Sequence, residues 1–109
     1  MAGFNRGMGG GMQNLMKQAQ KMQEEMQATE KLLDEWEIVG TAGGEAVVVY
    51  MNAKKVIDGI EIDKSVIDPE DEEMLEDLIM AAILDGYKKA DAVREEKMGK
   101  FGGGMGGLL

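Results

Sequence analysis

Apolar residues recur through the first third of the chain at alternating steps of three and four: Met12, Leu15, Ala19, Met22, Met26, Thr29, Leu33 and Trp36, with Gln, Lys and Glu between them. This is a 3.5-residue period, the spacing of a helix that turns a narrow apolar seam toward another helix. Gln, Lys, Glu, Met and Ala are all good helix formers, so the pattern predicts a helix over about 12–35. Such a seam runs for about seven turns, and a chain of 109 residues holds no obvious cover for it. It asks for a partner, most simply a second copy.

After Glu35 the pattern changes. Trp36, Ile38 and Val39 predict a strand over 36–41, Ala42-Gly43-Gly44 a turn, and the β-branched and aromatic run Val47, Val48, Val49, Tyr50 a second strand over 45–51. A second turn at Asn52-Ala53-Lys54 leads to a third strand over 55–63, in which Ile60 and Ile62 alternate with Glu61 and Asp63. Simple alternation carried backwards places Asp58 inside. A bulge at Asp58-Gly59 restores an apolar face through Ile57, and this is the expected arrangement.

The second helix is expected to open at Asp68 as N-cap, with Pro69 at the first helical position and Glu70, Asp71, Glu72 and Glu73 at the positive end of the helix dipole. Its stretch from Met74 to Leu84 is apolar on nearly every side, which predicts burial both by the sheet and by another subunit. Gly86 costs about 1 kcal/mol relative to alanine inside a helix, so it marks an expected close approach of a neighbouring backbone. The domain reading is therefore a single α+β unit over 12–98: long helix, three-stranded antiparallel sheet, long helix. Glycine-rich segments at 1–11 and 99–109 flank it and are expected to be flexible arms.

Composition adds little to the fold and more to the function. The net charge of -9 is unevenly spread: +3 up to Gln23, -14 from Glu24 to Tyr87, and +2 from Lys88 onward. Basic ends around an acidic middle suit an anionic partner met at the ends. There is no cysteine, which excludes disulfides and thiolate metal sites and fits a reducing, cytoplasmic home. Neither a secretory signal nor an apolar run of membrane-spanning length is visible. Several of the 11 methionines fall on or beside the seam, where a flexible thioether fills gaps, so they read as packing and not as a metal site.

Chemistry is scarce. Without histidine or cysteine, and with one serine, Ser65, no nucleophile can be paired with an imidazole base. The 21 carboxylates sit mostly on helix surfaces or at a helix start. The segment Asp63-Lys64-Ser65-Val66-Ile67-Asp68 fails as a calcium loop, with Ile67 at a ligand position and Asp68 where glycine is required. The glycine-rich ends lack a phosphate-cradling motif. No enzyme, cofactor, metal or small-molecule substrate is expected.

Three separated segments resemble one family. Leu15-Met16-Lys17-Gln18-Ala19-Gln20-Lys21-Met22-Gln23 with Glu24-Glu25-Met26, the strand ending Ile60-Glu61-Ile62-Asp63, and the run from Asp68-Pro69-Glu70 through Leu78-Ile79 are similar to the YbaB/EbfC family of bacterial nucleoid-associated proteins. The resemblance implies a tight homodimer with helices projecting from a central sheet, binding double-stranded DNA at the nucleoid, with roles in chromosome organisation and gene regulation. Local charge then has to outweigh global charge. The expected phosphate contacts are Arg6, Lys17, Lys21, Lys88, Lys89, Arg94 and Lys97, with Lys54 and Lys55 as rivals. The expected dimer interface is Met22, Met26, Leu78, Ile79, Ala82 and Ile83. The competing reading is a non-catalytic protein-interaction adaptor for which DNA binding is weak or incidental.

Overall fold

The structure is a computed structural model that describes the backbone of residues 2–108 and the side chains of residues 11–99 and Phe101. It consists of α1 (Ala2–Glu35), β1 (Glu37–Ala42), β2 (Val47–Asn52), β3 (Ile57–Ile62), a single 3-10 turn (Lys64–Val66) and α2 (Glu72–Leu108). The three strands form one antiparallel sheet in the order β1-β2-β3. This is the expected helix, sheet and helix. Both helices run further than their apolar patterns predict, through the glycine-rich segments.

The sheet is amphipathic in the expected way. Val47, Val49 and Met51 on β2 are buried, and their neighbours Val48, Tyr50 and Asn52 face outward. Across the ladder these three meet Ala42, Gly40 and Ile38 on β1 and Ile62, Ile60 and Ile57 on β3. The step from Tyr50↔Gly59 to Met51↔Ile57 leaves Asp58 unpaired, so the bulge lies where the sequence placed it. α2 crosses β1 and β2, adding Ala82 and Ala90 to the core, and Leu33 closes it from the end of α1.

Two glycines set how near α2 comes to the sheet. A side chain at Gly40 would strike the Ala82 carbonyl and sit 2.6 Å from the Gly86 nitrogen and 2.8 Å from its Cα. The close approach expected at Gly86 is therefore real, and the opposing backbone is that of β1.

The start of α2 differs from expectation. Asp68 caps no helix: it opens a turn, its carboxylate accepting from Glu70 N–H at 2.9 Å and its carbonyl from Asp71 N–H at 3.0 Å. Asp71 is the cap, accepting from Met74 N–H at 3.2 Å. Asp-Pro is as good a signature for the first two positions of a β-turn as for a helix start, and here the turn reading wins. In the β2–β3 connection the left-handed residue is Lys55, φ 70°, and Ala53 is fully buried with its N–H on the Leu33 carbonyl at 3.2 Å. Alanine therefore meets no strain in this turn.

The molecule measures 84 × 25 × 16 Å, with a radius of gyration of 22.5 Å. A compact domain of this size has a radius of gyration of about 13 Å. The excess comes from helix that leaves the core: every described residue of α1 from Gly11 to Glu25 is exposed.

Candidate nucleic-acid interface

The sequence offers its cations in two groups, and the structure separates those that are free from those already engaged. Lys17 and Lys21 stand one turn apart on the exposed stretch of α1, on the side away from the seam, and take no ion pair among the described residues. On α2, Lys88 and Arg94 are exposed and likewise unpaired among the described residues. Arg6 lies outside the residues whose side chains are described.

The other candidate cations have structural work. Lys89 pairs with Asp85 at 2.9 Å and donates to the Val39 carbonyl at 3.0 Å. Asp85 in turn accepts from Thr41 N–H at 2.9 Å, and this hydrogen bond, helped by Lys89, holds its carboxyl below the usual carboxylate range. Val39 and Thr41 present their polar groups along the free edge of β1, so one i,i+4 pair on α2 closes that edge. Lys97 lies over the Trp36 ring, 5.2 Å from its centroid, and 4.0 Å from Glu96. Lys54 pairs with Asp34 at 3.1 Å. Lys55 pairs with Asp91 at 2.7 Å and lies 5.4 Å from the Tyr87 ring centroid. The two rivals in the second turn are thus the more neutralised set.

Distance along α1 is the main geometric fact. From Leu33, which is in the core, Lys21 and Lys17 are roughly 18 and 24 Å away at 1.5 Å per residue. The free candidate cations therefore do not converge into one patch. They occupy a projecting arm, Lys17 and Lys21, and two different sides of α2, Lys88 beside the Leu84 and Tyr87 groove and Arg94 toward the end of α1.

The apolar surface is also redistributed. Leu78, Ile79 and Ile83 pack partly against the chain's own core, and Ala82 is wholly buried there, with no surface left to offer a partner. Met26 is half-buried and Met22 is exposed on α1. Among the large apolar residues that stay uncovered are Met80 and Leu84 on α2 and Ile57 and Ile60 on β3. Leu84 and Tyr87 line a groove with Lys55 at the β2–β3 turn, so this side of α2 faces the strand that the helix leaves bare. Met80 and Leu84 lie in the all-round apolar stretch, but no periodicity there says which residues the sheet takes.

Comparison with known proteins places this geometry. The YbaB/EbfC DNA-binding family matches residues 8–105. Proteins named nucleoid-associated protein are similar over nearly the whole chain: one from Clostridium novyi is 52% identical over 101 residues, 91% of this chain and 89% of that one. One from Agathobacter rectalis is 48% identical over 107 residues, covering 98% and 95%. A crystal structure of an uncharacterized protein from Helicobacter pylori, 27% identical, superposes with a TM-score of 0.66 over 75% of this chain and 86% of that one.

Proposed function

This chain belongs to the YbaB/EbfC DNA-binding family, and we propose that it grips the phosphates of duplex DNA as a non-catalytic homodimer of the cytoplasm. DNA binding and association with the nucleoid come with the family. No helix among the described residues is long and apolar enough to cross a membrane. The dimer, the contact residues and the lack of catalysis are the proposal, and one observation carries it: the free lysines of α1 stand away from the acidic body.

A protein of net charge -9 binds a polyanion only if the phosphates sense a local positive field. At physiological salt the Debye length is about 8 Å, so a phosphate beside Lys17 is largely screened from carboxylates around the sheet. Lys21 is less favoured, since Glu24 and Glu25 follow it within one turn. Lys88 and Arg94, with Arg6, complete the set. Lys89 and Lys97 contribute to the field while held by Asp85 and Trp36. Symmetry doubles each contact. With a handful of phosphates per subunit, binding is salt-sensitive and reads little sequence.

The dimer forms through the bare side of the sheet. β3 leaves Ile57 and Ile60 37% and 45% exposed, beside Met80 and Leu84 at 55% and 65%. A second copy that covers them by two-fold symmetry turns these residues into interface core.

The test is fluorescence anisotropy of a labelled duplex at several salt concentrations, with the protein mass measured alongside. A dimer whose log affinity falls linearly with log salt is expected. Lys17→Gln is expected to weaken binding to all sequences and to lower the slope by about 1 for each phosphate no longer neutralised. A dimer that fails to bind even at low salt overturns the phosphate reading and moves the adaptor reading into its place.

A further inference from the structure

The seam of α1 is covered at one end only. Leu33 is 2% exposed, and Met26, Thr29 and Trp36 are half-buried, because α2 meets α1 near Glu30, Leu33 and Trp36 through Arg94, Lys97 and Met98. The same stripe continues outward through Met22, Ala19, Leu15 and Met12 without cover, with Leu15 66% and Met12 61% exposed. We propose that this outer seam pairs with the same segment of α1 in a second copy of the chain, antiparallel, and so joins one dimer to the next. It rests on the homodimer proposed above and goes beyond it.

The period identifies the occupant as a helix. A 3.5-residue repeat keeps one stripe in line with a supercoiled partner, whereas a helix resting on a sheet follows the 3.6-residue turn and drifts about 20° per heptad. The repeat is unbroken from the covered half of α1 to the bare half, so the bare half is built for the same kind of neighbour. The positions flanking it, Met16, Gln18 and Gln23, carry no charge, and an identical segment therefore approaches without repulsion. Lys17 and Lys21 point away from the seam and remain free.

The helix dipoles select the orientation: antiparallel pairing opposes them, whereas parallel pairing aligns them. The fitting register places Met12 opposite Met22 and Leu15 opposite Ala19. Two such layers and their symmetry mates form a short coiled coil, which is weak in dilute solution and strengthened when copies lie side by side on one DNA.

The experiment is sedimentation of the full chain across a concentration series, together with binding isotherms on a duplex long enough for several dimers. The expected result is a species of four chains growing in above the dimer with concentration, and a cooperative isotherm. The double variant Met12→Gln/Leu15→Gln alters two exposed, uncharged positions. It is expected to remain a dimer at all concentrations and to bind without cooperativity, its salt slope unchanged. A wild-type protein that never exceeds a dimer and binds long DNA without cooperativity overturns the proposal, as does a double variant indistinguishable from it. Loss of the dimer itself in the double variant would show that α1 pairs inside the dimer, which also overturns it. Orientation is read separately with Ala19→Cys: a disulfide between two such chains requires parallel helices and contradicts the antiparallel register.

Discussion

At the scale of single residues, the tightest constraint is Gly40. A Cβ there meets backbone atoms of Ala82 and Gly86, which cannot step aside as a side-chain end would. Gly40→Ala is expected to destabilise the fold by about 3 kcal/mol, the upper range of overpacking, read as a drop in the denaturation midpoint at unchanged slope. Gly86 is more forgiving, since its Cβ would meet the flexible end of Met51. The pair shows what sequence reading reaches at this scale: Gly86 stood out as a cost inside a helix, but Gly40, in a strand among small residues, carried no mark of which helix would lie on it. Asp85 makes the second residue-level prediction. Its folded-state carboxyl is held low by Thr41 N–H and Lys89. The folded state therefore binds fewer protons than the unfolded chain, and this contribution is present above the unfolded value near 3.9 and is lost as pH falls through the folded one. Asp85→Asn should cost about 1 kcal/mol at neutral pH, given the partial exposure of the pair, and should flatten the loss of stability below about pH 4 in acid titrations of thermal unfolding.

At the scale of elements, the two sheet edges are treated differently. β1 is closed by the Asp85 and Lys89 pair on α2, while among the described residues no comparable pair closes β3. An edge left open beside uncovered Ile57 and Ile60 is where a further element has room to pack. The entrance to α2 gives the element-level test. Asp71 caps Met74 N–H, so Asp71→Ala should lower stability by about 1 kcal/mol, as cap removal does. Asp68→Ala, which removes only a turn contact in an exposed loop, should cost less by the same chemical-denaturation measurement. A larger loss at Asp68 would return the cap to the position the sequence suggested. The bulge was legible because simple alternation would have buried Asp58. The cap was not, because Asp-Pro followed by acids fits a turn and a helix start equally well.

For the whole molecule, elongation separates charge. The 84 Å body sets Lys17 at a distance from the acidic sheet that a compact globule of net charge -9 would not allow, and the proposed grip on DNA depends on that distance. Dimerisation is tested at this scale. Met80 and Leu84 contribute little to the chain's own core, so Met80→Glu with Leu84→Glu should give folded monomers, read as a halved mass with helix content retained. Leu78→Asp should instead unfold the chain, because Leu78 packs against its core. A folded dimer from the double glutamate variant would rule out this face as the interface.

The element order, the bulge, the apolar seam of α1 and the split of charge into basic ends and an acidic middle are all written in local periodicity and composition, which neighbouring residues settle among themselves. Which lysines are engaged depends instead on contacts between distant segments: Lys89 on an edge strand 50 residues away, Lys54 and Lys55 on Asp34 and Asp91. The same holds for Ala82 being inside while Met80 and Leu84 are outside. In a helix apolar on nearly every side, no periodicity marks the buried face. That face is chosen by the one place where Gly40 lets a helix come close, and such a contact between distant segments leaves no signature in either segment alone.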